Sequence, residues 1–192
     1  MNFISFSNGG IKIKKGTGLK GDNLQTIMCG AYINNTLVTG TFKGELLVWN
    51  GTAYTKSIKA HQGTVNAIYL RDNNTGFITG GNDGSILIFD QNYKITNKLS
   101  INTAEIKSLC PKVRAICENS NGNILVGTRA SEIIEFIDEK PVIHLRGHFD
   151  NELWGLSIHP SSEKYYTAGQ DKMLALWDIR KRSIEKVFNY II

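Results

Sequence analysis

The sequence predicts an all-β chain built from repeated four-stranded units, and three observations carry that prediction. Aromatic anchors recur at Trp49, Phe89, Phe136 and Trp177, spaced by 40, 47 and 41 residues. A run of small residues stands in constant register, its first residue ten before each anchor: Thr39-Gly40-Thr41, Thr79-Gly80-Gly81, Val126-Gly127-Thr128 and Thr167-Ala168-Gly169. No long run combines helical apolar periodicity with caps.

Taken in order, a partial unit opens the chain at 1–24. There Phe3-Ile4-Ser5-Phe6, the Asn8-Gly9-Gly10 turn and Ile11-Lys12-Ile13 match the middle two strands of a unit. Whole units follow at 25–59, 60–100, 101–145 and 146–192. The second of them shows the grammar. An apolar run from Thr64 to Leu70 meets a polar turn from Arg71 to Gly76. Phe77-Ile78-Thr79-Gly80 then reaches the Asn82-Asp83-Gly84 turn, and Ser85-Ile86-Leu87-Ile88-Phe89 is dense enough in Ile and Leu to be buried on both faces. Asn-Asp-Gly predicts a primed hairpin turn, which needs positive φ. Ile184 to Phe188 reads as the outer strand of the last unit.

Gly147-His148 followed by Trp177-Asp178, with 29 residues from His148 to Trp177, resembles the frame of a WD40 repeat, the blade of a β-propeller. The resemblance implies four full blades and a partial one in an incomplete ring. Seven such blades need about 300 residues, so the chain is expected to be part of a longer protein, with open blade ends through which it self-associates. In WD40 blades the positions matching His148, Thr167, Asp171 and Trp177 form a hydrogen-bonded tetrad. His61, Thr79 and Asp83 repeat three members, with Phe89 in place of the Trp. The blade ending at Phe136 lacks both the His and the turn Asp and is expected to be looser. Ser/His/Asp catalysis uses a similar set of side chains, but a catalytic set is not repeated in tandem at a fixed period. No catalytic residue is assigned, and no enzyme is expected.

Other chemistry is poorly supported. Cys110-x6-Cys117 lacks zinc spacing, and His144-x3-His148 falls on an outer strand and the following loop, where no helix brings the two rings together. Asn82-Asp83-Gly84 is a calcium-loop fragment without the other ligands. Phosphate-loop and dinucleotide fingerprints are absent. Neither a metal nor a cofactor is expected. With 41% apolar residues in 192, the chain has ample core material. No stretch approaches the length of a membrane helix, and Met1-Asn2-Phe3-Ile4 does not read as a signal peptide. The cytoplasm is the expected compartment. The sequons at Asn34, Asn50 and Asn73 then read as turns, and Cys29, Cys110 and Cys117 as buried reduced thiols. A net charge of +5 is modest. Its one tight cluster, Arg180-Lys181-Arg182, sits in a turn without the aromatic interleaving that nucleic-acid stacking uses.

Several strings go beyond the generic repeat. Thr39-Gly40-Thr41-Phe42-Lys43-Gly44 with Val48-Trp49, Ala60-His61-Gln62-Gly63-Thr64-Val65, Ile124-Leu125-Val126-Gly127-Thr128 with Glu132-Ile133-Ile134-Glu135, and Gly147-His148 with Trp154-Gly155-Leu156 and His159-Pro160 resemble the echinoderm microtubule-associated protein-like family. That resemblance implies a cytoskeletal protein whose propellers associate with tubulin and microtubules. The expected function is a non-enzymatic interaction platform contacting tubulin. The alternative is a WD40 scaffold for another protein complex or a peptide. The turns at Lys43, Asn82, Arg129 and Gln170 are expected to share one rim of the propeller, where partners dock.

Overall fold

The computed structural model describes residues 1–192 except 8, 20–24, 73–74, 104–105, 107 and 190–192. Asn73 and Asn8 lie outside the described residues. Among those described there are eighteen strands and no α-helix. β1 (Asn2–Ser7) and β2 (Gly10–Lys15) form a hairpin. Four antiparallel meanders follow. Blade 1 is β3 (Ile27–Ile33), β4 (Thr36–Thr41), β5 (Glu45–Asn50) and β6 (Ala53–Lys59). Blade 2 is β7 (Val65–Leu70), β8 (Phe77–Gly81), β9 (Ser85–Phe89) and β10 (Ile95–Ser100). Blade 3 is β11 (Val113–Glu118), β12 (Ile124–Thr128), β13 (Ile133–Ile137) and β14 (Lys140–Leu145). Blade 4 is β15 (Leu153–Ile158), β16 (Lys164–Gly169), β17 (Met173–Asp178) and β18 (Ser183–Asn189). The four anchors occupy the third strand of their blades. β8 and β9 are buried along their whole length, as expected of strands covered on both faces.

The turns between second and third strands differ from the primed hairpins that Asn-Asp-Gly suggested. Only the last turn residue is left-handed: Gly44 (φ 87°), Gly84 (75°), Ser131 (55°) and Lys172 (61°). The Gly84 amide donates to Gly81 O at 3.2 Å. This is the three-residue alternative, an ordinary turn closed by one left-handed residue. Gly44 has a second reason to lack a side chain. A Cβ there would lie 2.2 Å from His61 O and 2.4 Å from Gly63 O.

Each first strand carries one register slip, and it falls at the same place in every blade. The residues passed over are Met28, Asn66, Arg114 and Trp154. A β-bulge of this kind turns the extra residue out of the ladder.

Blades interlock by opposite faces. The anchor-bearing face of blade 2 (Phe77, Leu87, Phe89) packs on Ile33, Val38, Leu46 and Val48 of blade 1. The anchor-bearing face of blade 3 (Ile124, Val126, Ile134, Phe136) packs in turn on Ile78, Ile86 and Ile88 of blade 2. Blade 1's own anchor, Trp49, is covered by the hairpin, with Phe3 edge-on at 5.6 Å. The rest of the hairpin is less covered: Ile4, Phe6, Ile11 and Ile13 share a face and are exposed.

Blade 4 breaks the pattern. None of the three buried clusters draws on it, and Trp154, Leu156 and Ile158 on β15 are 73%, 71% and 74% exposed. The residue before each anchor gives the reason. It is Val48 in blade 1 and Ile88 in blade 2, but Glu135 in blade 3. The Glu135 carboxylate accepts from Asn123 Nδ2 at 2.8 Å and lies 2.6 Å from His144 Nε2. Those two contacts hold it below the usual carboxylate range. A polar patch of this kind cannot serve as the apolar seat that Val48 and Ile88 provide. Cys117 belongs to the same side. Expected to be buried, it is exposed, because it pairs with Leu125 on the face that blade 4 leaves open.

Candidate functional site: a rim above buried polar networks

Beneath each turn between second and third strands lies a polar network. In blade 4, His148 approaches the chain just before β15. Its Nε2 is 2.8 Å from Thr167 Oγ1, its Nδ1 is 2.9 Å from Asp171 Oδ2, and Trp177 Nε1 donates to the same Thr167 hydroxyl at 2.6 Å. Asp171 also accepts from the Phe149 and Met173 amides. In blade 2, His61 Nε2 is 2.8 Å from Thr79 Oγ1, while Nδ1 is 3.1 Å from Asp83 and 2.9 Å from Ser85 Oγ. Phe89 replaces the indole and stacks on Phe77 at 4.7 Å. Burial works against the Asp83 charge. Bonds from His61, the Gln62 amide and Ser85 outweigh it and hold Asp83 well below the usual carboxylate range.

Two networks were not found from the sequence. In blade 1, Trp49 Nε1 donates to Thr39 Oγ1 at 3.0 Å, and Gln25 Nε2 donates to Glu45. In blade 3, expected to be loose, Glu132 is buried and accepts from Thr128 Oγ1 at 3.0 Å, Ser108 Oγ at 2.5 Å and Arg146 Nε at 3.0 Å. Arg146 also donates to Ile106 O at 2.5 Å. The blade has exchanged its chemistry without losing its network. Glu45 and Glu132 stand two places beyond the turn Asp position, in the register of Ser85. Every blade therefore keeps one carboxylate under this turn, at either of two positions. A signal was available: the Glu in the Glu132-Ile133-Ile134 string.

Above the networks the turns form a row. The backbone amides of Phe42, Asn82, Arg129 and Gln170 donate to the carbonyls of Thr26, Thr64, Lys112 and Glu152, at 2.8–2.9 Å. Asn82, Arg129 and Gln170 are thus equivalent. Lys43 shares the first turn but stands one residue further along; the matching position is Phe42, which is 61% exposed. The bulged residues lie beside these turns. Asn66 Nδ2 donates to Asn82 Oδ1 at 2.8 Å and to Val113 O at 2.6 Å, and Arg114 Nη1 reaches Asn66 Oδ1 at 3.5 Å. Two positions per blade, one on the bulge and one in the turn, make up the rim.

The three cysteines are free. Burial pushes the Cys29 thiol up to about 11, and it donates to Val65 O at 3.4 Å. Among the described residues no three metal-ligating side chains cluster, and no helix is long and apolar enough to cross a membrane. His144 and His148 turn to different carboxylates, Glu135 and Asp171.

A family model described as WD domain, G-beta repeat, matches residues 53–90 and 139–178. These are WD40 repeats. Each matched WD40 unit begins on the outer strand of one blade (β6, β14) and ends on the third strand of the next (β9, β17), so it ties neighbouring blades together. The chain is also similar to human echinoderm microtubule-associated protein-like 4, at 27% identity over 95% of this chain and 20% of that protein. Mouse echinoderm microtubule-associated protein-like 1 is 29% identical over 92% of this chain and 22% of its own length. The chain therefore spans about a fifth of these relatives. Among solved structures, the WD40 beta propeller domain of Doa1 superposes with a TM-score of 0.46 and 16% identity, covering 81% of this chain and 50% of that one.

Proposed function

We propose that the chain is a non-enzymatic WD40 interaction platform of a cytoplasmic, cytoskeletal protein, and that it contacts tubulin through its rim. Likeness to proteins named as microtubule-associated, along 92–95% of the chain, carries the proposal. The inward wiring of the networks supports it. His148 and His61 are each held by a hydroxyl and a carboxylate, and Thr167 already accepts from an indole. In this reading His148, Thr167, Asp171 and Trp177, with His61, Thr79 and Asp83, hold blades together and leave the rim to bind.

Cosedimentation with polymerised tubulin tests the proposal. The wild-type chain is expected to pellet with the polymer, and Phe42→Ala with Arg129→Glu to weaken pelleting. Neutralising Arg180, Lys181 and Arg182 should mainly change the salt dependence, because exposed charges are screened beyond about 8 Å at physiological ionic strength. Loss of pelleting only in the second variant would move the site off the rim. No pelleting by the wild type would favour a scaffold for another protein.

A further inference from the structure

The chain has six arginines. Arg71, Arg146 and Arg180 are held by Glu118, Glu132 and Glu163. Arg114, Arg129 and Arg182 have no carboxylate partner among the described residues. Two of these three stand together on the rim of blade 3, both exposed. Arg114 is the bulged residue of β11. Arg129 is the turn residue whose amide bonds to Lys112 O at 2.8 Å, which brings the backbone of Lys112 to the same corner.

The corner is also held in place. Asn66, on blade 2, uses its Nδ2 to bridge Asn82 on its own blade and Val113 O on the next. Its Oδ1 then faces Arg114 Nη1. One edge of the guanidinium rests on this amide, which leaves the remaining donors for a ligand. A planar guanidinium with free donors matches the planar carboxylate group. Glu132, under the blade 3 turn, is already paired with Arg146, and Asp83, under the blade 2 turn, does not compete either. It is turned down to His61, the Gln62 amide and Ser85.

We propose that this corner, where blades 2 and 3 meet, binds the carboxylates of an acidic, extended segment of a partner protein. The proposal rests on the platform reading and names the chemistry of its partner. Charge complementarity selects an anion. The neighbours favour peptide over nucleic acid: Asn66, Asn82 and Lys112 carry no aromatic ring, and the rim aromatics Phe42 and Trp154, which would form a stacking platform, belong to blades 1 and 4.

The test is fluorescence anisotropy of the full chain with labelled decaglutamate, at an ionic strength of about 0.15 M. Decaglutamine and a ten-residue thymidine oligonucleotide serve as comparisons. Decaglutamate should bind more tightly than either. Arg114→Gln with Arg129→Gln should weaken it about tenfold or more. Lys181→Gln with Arg182→Gln removes the same charge elsewhere and should change affinity less than about twofold. Thermal melts of both double variants should match the wild type, since the side chains are exposed. Equal losses from the two double variants would reduce the effect to net charge and overturn the site. So would tighter binding of the oligonucleotide with the same dependence on Arg114, or no binding of decaglutamate at all. Tubulin pelleting without decaglutamate binding would sink the carboxylate site and spare the platform. Decaglutamate binding without pelleting would do the reverse.

Discussion

Asp83 is a charged side chain whose environment stabilises its charge. Burial opposes ionisation, yet His61, the Gln62 amide and Ser85 together lower its proton affinity below that of an unfolded aspartate. A carboxylate depressed in the folded state contributes stability above its unfolded value, about 3.9, and loses it as the pH falls through the folded value. The wild type should therefore exceed Asp83→Asn in stability at neutral pH by about 1–3 kcal/mol. That gap should narrow steadily below about pH 4. Urea denaturation of both proteins from pH 7 to pH 2 reads it directly. A gap independent of pH would mean that the carboxylate serves only as a neutral hydrogen-bond partner.

Blade 3 carries the next prediction, because its network rests on an ion pair and not on a histidine. Glu132→Ala would leave the Arg146 guanidinium, 24% exposed, without its partner and two hydroxyls without an acceptor. Breaking such a pair costs about 3 kcal/mol. Removing the blade 4 imidazole with His148→Ala should cost roughly 1–3 kcal/mol. Thermal melts should rank Glu132→Ala at least as damaging as His148→Ala, and the opposite ranking would restore the view of blade 3 as a loosened copy. The comparison also marks what was legible in the sequence. The anchors, the strand order and the tetrad of blade 4 follow from register, because local turn chemistry and a strict repeat fix them. The blade 3 network does not, since Ser108 and Arg146 reach Glu132 from segments on either side of the repeat's constant positions. Phe42 was displaced by Lys43 for a related reason: counting along a turn cannot show which amide crosses to the first strand. The open face of blade 3 did have a visible cause in Glu135, but only the packing of Val48 and Ile88 reveals what that position normally does.

At the scale of the molecule, and among the described residues, blades 1 to 3 share continuous apolar seams and blade 4 does not join them. Local opening free energy follows buried apolar contact. Hydrogen exchange should accordingly find the amides of β16 and β17 exchanging well before those of β8 and β9. Each of these strands pairs with a neighbour on both sides, so hydrogen bonding alone would predict equal protection. Equal protection in both pairs would show that blade 4 is held as firmly as the others. The polar seat around Glu135 would then be a closed joint, despite the exposure of Trp154, Leu156 and Ile158.

The repeated bulge has a consequence for how such a chain can change. In blades 1 to 3 the paired residues on either side of it are restricted, because Ile27, Cys29, Val65 and Val113 pack inward and Gly40 and Gly80 leave no room for a Cβ against Val65 and Val113. The bulged residue belongs to neither constraint. Methionine, asparagine, arginine and tryptophan occupy it in turn, four unrelated chemistries on one backbone device. Apart from Asn66, whose amide ties blade 2 to Val113 O of blade 3, the side chain at this position can change without disturbing the apolar seams that hold the blades.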